Sequence, residues 1–116
     1  MKIESLLAQH VAEATFKGLS PAAIASAKRS LIDTVVVALG ARGARGISES
    51  MRASAADQEQ CSSTIWHTGK RTSARSAAFV NSIAAASLDF DSIYAFAAVH
   101  PDIVVVPVAV ALSESR

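Results

Sequence analysis

The chain is short of most residues that would announce a chemistry outright. It has one cysteine, Cys61, so no internal disulfide can form and cysteine usage does not describe a secreted scaffold. Eleven basic against ten acidic residues leave a net charge of +1, and no dense basic block stands anywhere in the chain. That excludes the basic stripe a nucleic-acid partner normally needs. No apolar run reaches the roughly 18 residues expected of a membrane span. The longest, Ile103 to Leu112, is interrupted by Pro107. The start, Met1-Lys2-Ile3-Glu4-Ser5, lacks the apolar core of a signal peptide, so a cytoplasmic protein without nucleic-acid or membrane partners is expected. Aromatics make up only 5% of the residues.

What is present in quantity is small and apolar. Hydrophobic residues are 51% of the 116 and charged residues 18%, which excludes a disordered tail. Alanine alone supplies 24 positions, a composition that suits close-packed helices better than sheets. The length allows one domain and one core. The expected class is therefore all-α, a helical bundle over residues 1–116.

Periodicity places the helices. Ile3, Leu6, Leu7, Val11 and Ala14 form one stripe, with Gly18 as a stop. Ser20-Pro21 reads as an N-cap and first helical residue. The helix it opens runs through Ile24, Ala27, Leu31, Ile32, Val35, Val36 and Leu39 to Gly40. Val35-Val36-Val37 would also suit a strand, but the unbroken stripe from Ile24 favours helix. Its second half is apolar nearly all round, which predicts burial on several sides and a partnered, buried Asp33. Gly40-Ala41-Arg42-Gly43-Ala44-Arg45-Gly46 reads as a solvated, flexible turn. No Gly-Lys-Ser/Thr follows it, so it is not a Walker loop. A shorter helix carries Ile47, Met51 and Ala55, and the polar run Asp57-Gln58-Glu59-Gln60 ends it. Cys61 to Trp66 is the best candidate for an extended piece. Ser73 caps a further helix reaching about Leu88. Asp89 to Pro101 reads as a loop, and a last helix starts at Pro101-Asp102 with Pro107 about one turn in.

Candidate chemistry concentrates in Leu88-Asp89-Phe90-Asp91-Ser92-Ile93-Tyr94 and His100-Pro101. Leu88 and Phe90 suggest partial burial, and a carboxylate beside apolar groups is raised toward neutrality and can exchange protons. An imidazole in the same loop supplies a second acid–base group. This pairing suits proton abstraction next to a substrate carboxylate, or delivery to a leaving hydroxyl. The plainer alternatives are a helix cap for Asp89, a solvated turn for Asp91 and a backbone-bonded structural histidine at 100. The spacing of Asp89, Asp91 and His100 matches no strong metal motif. Lys70 and Arg71 follow a glycine and could meet an anionic substrate, or simply form a solvated turn. His10 reads as a surface or packing residue. Cys61 has no activating base near it in sequence.

Four stretches, taken in order, resemble one family. They are Ala27-Lys28-Arg29-Ser30-Leu31-Ile32-Asp33-Thr34 with Val37-Ala38-Leu39-Gly40; Ser63-Thr64-Ile65-Trp66 with Thr68-Gly69-Lys70-Arg71; Ala77-Ala78-Phe79-Val80-Asn81 with Ala84-Ala85 and Leu88-Asp89-Phe90-Asp91; and His100-Pro101 with Val105-Val106-Pro107-Val108-Ala109. Together they resemble the N-terminal part of the MmgE/PrpD family, which includes 2-methylcitrate dehydratase, cis-aconitate decarboxylase and iminodisuccinate epimerase. The resemblance implies an all-helical fold forming the first part of a larger helical domain. It implies a homodimer, no metal or organic cofactor, and small di- or tricarboxylate substrates handled by proton transfer beside a carboxylate. By position it assigns catalytic roles to Asp89 and His100, and substrate contacts to Asp91, Ser92 and Lys70. Family members are several times longer and carry a lysine and a second histidine in later sequence, so this chain alone is expected to be inactive or nearly so. The chain departs from the family pattern at Ser92-Ile93, where Asp-Thr is usual, at Ala86, where histidine is frequent, and at Asp102, where a small residue usually follows His-Pro. These departures keep a second expectation open: a non-catalytic helical binding or assembly module, pairing through the apolar faces around Val35 and Val105.

Overall fold

A computed structural model describes residues 2–55, 57 and 61–116. The expected role of Gln58, Glu59 and Gln60 in ending a helix lies outside the described residues, as does Met1. Among those described, five α-helices dominate: α1 (Ile3–Glu13), α2 (Pro21–Gly40), α3 (Ile47–Ser54), α4 (Ala74–Ala86) and α5 (Asp102–Glu114). Two-residue strands β1 (Ser63–Thr64) and β2 (Arg71–Thr72) pair antiparallel, Ser63 opposite Thr72. The fold is all-α apart from this one hairpin.

The helix starts follow from their caps. The Ser20 hydroxyl accepts the Ala23 N–H at 3.1 Å ahead of Pro21, and Ser73 does the same for Ser76 at 3.1 Å. Each satisfies an N–H that has no partner within its own helix. The α4 start is braced further by Asp57, whose carboxylate accepts from the Ser73 and Ser76 hydroxyls and lies 3.5 Å from the Arg75 guanidinium. Val35, Val36 and Val37 are helical. Alanine does the packing. Ala38, Ala41, Ile47, Ala84 and Ala85 form one buried cluster, with Trp66 and Ile103 against it. Side chains this small let α4 approach both α2 and α5 closely.

Asn81 is the one large polar group deep in this core, 1% exposed. Its carbonyl oxygen accepts the Trp66 N–H at 3.0 Å, and its amide donates to the Thr64 carbonyl at 2.9 Å. The hairpin is thereby pinned to α4. Its other side is pinned to α5: the Ser63 hydroxyl donates to the Ala111 carbonyl at 2.7 Å, and Glu114 accepts from the Thr64 N–H and hydroxyl at 2.7 and 2.9 Å.

Burial corrects several expectations. The stripe of α1 forms a helix, yet α1 buries no residue; Ile3, Leu7 and Val11 are 64%, 59% and 74% exposed. The helix also stops at Glu13, and Gly18 instead ends a short 3-10 turn over Phe16–Gly18. The end of α2 is buried on one side only, through Thr34, Val37 and Ala38, while Val36 is 60% exposed. Asp33 is exposed, so it meets water rather than a buried partner. Leu88 and Phe90 also lie in solvent. No helix among the described residues is long and apolar enough to cross a membrane.

Candidate functional site

Three ends of helices meet around Ala41, Ala85 and Ile103: the end of α2, the end of α4 and the start of α5. The loop that joins α4 to α5 leaves and returns there. It begins with a reversal at Asp89, which sits at φ 50. Aspartate is among the few residues that tolerate this left-handed conformation. Its N–H bonds the Ala86 carbonyl at 3.1 Å.

The reversal separates the two carboxylates. Asp89 stays exposed, its carboxylate with no hydrogen-bond or ion-pair partner among the described residues. Asp91 turns in, its side chain only 4% exposed, and its Oδ2 lies 2.7 Å from Nδ1 of His100. His100 precedes Pro101, a position biased toward extended backbone, which brings the chain back antiparallel to its outgoing limb. A second clasp lies beside the first: the Ser92 hydroxyl donates to Asp102 Oδ2 at 2.6 Å. A bridge between Tyr94 and Val99 closes the loop, with the Tyr94 N–H on the Val99 carbonyl at 2.8 Å. Its tip is open to solvent, with Phe96 95% exposed.

The chemistry follows from the donor rules. An ionised carboxylate only accepts, so against such an Asp91 it is His100 Nδ1–H that donates. The imidazole is 38% exposed. A buried carboxylate behind an imidazole fixes its tautomer and steadies the imidazolium formed when it takes a proton. The structure thus joins Asp91, rather than Asp89, to His100. Sequence reasoning set both aspartates beside His100, and the family resemblance gave Asp89 and His100 catalytic roles and Asp91 a substrate contact. The pairing through Asp91 was unreadable because it depends on one backbone reversal.

The expected site residues divide accordingly. Asp91, Ser92 and His100 are brought together, and Asp89 starts the same loop. Lys70 is not with them: it lies in the turn between β1 and β2, exposed, in a cleft with Met51, Ser54 and Asp57. No group of three or more His, Cys, Asp or Glu side chains among the described residues is arranged to hold a metal ion. His67, in the same hairpin turn, has its Nδ1 buried without a hydrogen-bond partner. Burial, and after it the positive charge of Arg42, lowers its proton affinity below the ordinary histidine value.

The architecture defines the class: an all-α, alanine-packed helical domain with a carboxylate–imidazole pair on the loop between α4 and α5. The family follows from comparison. The model of the MmgE/PrpD N-terminal domain matches residues 5–116, and the chain belongs to that family. Comparison with curated proteins and with solved structures returns no match.

Proposed function

We propose that this chain is the N-terminal part of a cofactor-independent lyase or isomerase that acts on small di- or tricarboxylates by proton transfer beside a carboxylate. The observation that carries the reading is the 2.7 Å contact between buried Asp91 and half-open His100. His100 Nε2 takes or gives the proton, Asp91 holds the ring, and exposed Asp89 serves as a second proton carrier. Ser92, whose proton goes to Asp102, can only accept, so it meets a hydroxyl of the ligand rather than a carboxylate. The reading includes a 2-methylcitrate dehydratase-like reaction class, a cytoplasmic homodimer, and little activity for this chain alone, since an acid–base pair without its positioning partners loses most of its effect.

The test is proton exchange. The intact gene product is incubated in deuterated water with a panel of small di- and tricarboxylates. Deuterium incorporation next to a carboxylate, lost in His100→Gln, supports the reading; incorporation that persists in His100→Gln refutes it.

A second reading has its own observation. Leu31 and Val105, both large, apolar and exposed, line a groove of about 620 Å³ between α2 and α5, and exposed Ile32 and Val36 line an apolar hollow that shares Leu31 and Val110 with it. Patches of this kind mark interaction surfaces. A non-catalytic assembly module would use it. Light scattering showing a folded oligomer with no affinity for citrate-like acids favours that reading, whereas a monomer that binds such acids excludes it.

A further inference from the structure

An enzyme for di- or tricarboxylates must hold more negative charge than one imidazole can meet. Several of the chain's cations are already engaged. Arg52 pairs with Glu49 at 3.6 Å and Arg75 with Asp57 at 3.5 Å. The Arg71 guanidinium donates to the Thr64 hydroxyl at 3.2 Å and to the Ser62 carbonyl. Lys70 lies in the hairpin turn. Arg42 and Arg45 differ on both counts: among the described residues neither has an acidic partner within ion-pair distance, and both sit at the end of the bundle from which the Asp89–Pro101 loop emerges.

Their loop is built rather than slack. The Ala44 N–H bonds the Ala41 carbonyl at 2.8 Å and the Ile47 N–H bonds the Ala44 carbonyl at 3.4 Å, two successive tight turns. Gly43 and Gly46 sit at φ 84 and 88, which a side chain would strain. The loop is tied to the end of α4, where the Ser87 hydroxyl reaches the Arg45 carbonyl at 3.4 Å, two residues before Asp89. A Cβ on Gly46 would lie 3.6 Å from Ile83, so the backbone there is pressed against α4. Ala41, next to Arg42, is 1% exposed and belongs to the cluster on which Ile103 packs, three residues after His100.

We propose that Arg42 and Arg45 form a carboxylate-binding fork at the end of the bundle that carries Asp91 and His100. They receive the carboxylate groups of the acid whose proton that pair moves. The inference rests on the acid–base reading above for the identity of its ligand. Guanidinium suits the task because its planar donors take a carboxylate two-at-a-time, which a lysine cannot do. Two such groups three residues apart on a pinned loop can hold two carboxylates of one small molecule while a third part of it faces His100.

The experiment uses tricarballylate, an unreactive tricarboxylate, with its neutral triamide as control, and measures affinity for this chain by calorimetry. Wild type is expected to bind the acid saturably, less tightly as salt rises, and not to bind the triamide. Arg42→Ala/Arg45→Ala is expected to weaken binding about tenfold or more, with Arg42→Lys/Arg45→Lys intermediate and Arg52→Ala unchanged. All three replaced positions are exposed, and thermal melts verify that the variants stay folded. No saturable binding by wild type, equal affinity in the double alanine variant, or equal loss in Arg52→Ala would each overturn the fork. The two readings fail separately. Binding that depends on Arg42 and Arg45 without deuterium exchange in the intact gene product removes the lyase reading and keeps the fork. Exchange that depends on His100 with unchanged binding in the double variant does the reverse.

Discussion

The hairpin at 63–72 and the loop at 89–101 are both short irregular segments rich in polar groups, and they use those groups in opposite ways. In the hairpin the polar groups are taken up by the helices on either side. Asn81 of α4 holds the Trp66 N–H and the Thr64 carbonyl, while Ala111 and Glu114 of α5 hold Ser63 and Thr64. In the loop the strong pairs are local. Asp91 holds His100, and Ser92 donates to Asp102 at the very start of α5, so the loop is tied at its own base and not into the core. The hairpin's polar bonds run into the helices that flank it; the loop's close its own base and leave an imidazole and a carboxylate exposed.

Substitutions can break this contrast. The largest effect is expected at Asn81. Asn81→Leu leaves the Trp66 N–H and Thr64 carbonyl without partners in the core, at a cost of about 3 kcal/mol, measurable by urea unfolding. Ser63→Ala loses one bond from the hairpin to α5 and should cost about 1 kcal/mol in the same assay. A cost near 3 kcal/mol for Asp91→Asn would mean that the loop, too, is part of the core's framework.

The smallest effect concerns pH. His67 has a folded-state pKa held below the ordinary value of 6.5 by burial and then by Arg42. Above that value both states are neutral and its contribution to stability is fully present. As pH falls through it, the unfolded chain takes up the proton first, and stability declines until the folded-state pKa is passed. His67→Gln should flatten this part of the stability–pH curve. Arg42→Ala should move the His67 titration, followed by NMR, upward toward 6.5. An unmoved titration would mean that Arg42 does not reach the hairpin.

The same contrast explains what could be read without coordinates. Ser20-Pro21 and Ser73 mark helix starts through local chemistry, and both caps form as the residues suggest. The Ile24-to-Leu39 stripe overrides the strand preference of three valines for the same local reason. Burial is not local. The stripe of α1 has the spacing of a core face and meets no core, because what would cover it is not among the elements it can reach. Asp33 stands in an apolar helix and faces water. The candidate loop lies between these cases. Its position between α4 and α5, and the presence of Asp91, Ser92 and His100 in it, were legible. Which carboxylate meets the imidazole was not. Asp89 and Asp91 are chemically equal and two residues apart, and only the left-handed backbone at Asp89 decides between them.

The most direct test sets these two aspartates against each other. Solvent-deuterium incorporation into the best carboxylate substrate is measured for the intact gene product carrying Asp89→Asn or Asp91→Asn. If Asp91 fixes the His100 tautomer, Asp91→Asn lowers the rate about 100-fold and Asp89→Asn lowers it less. A rate untouched by Asp91→Asn would contradict the account.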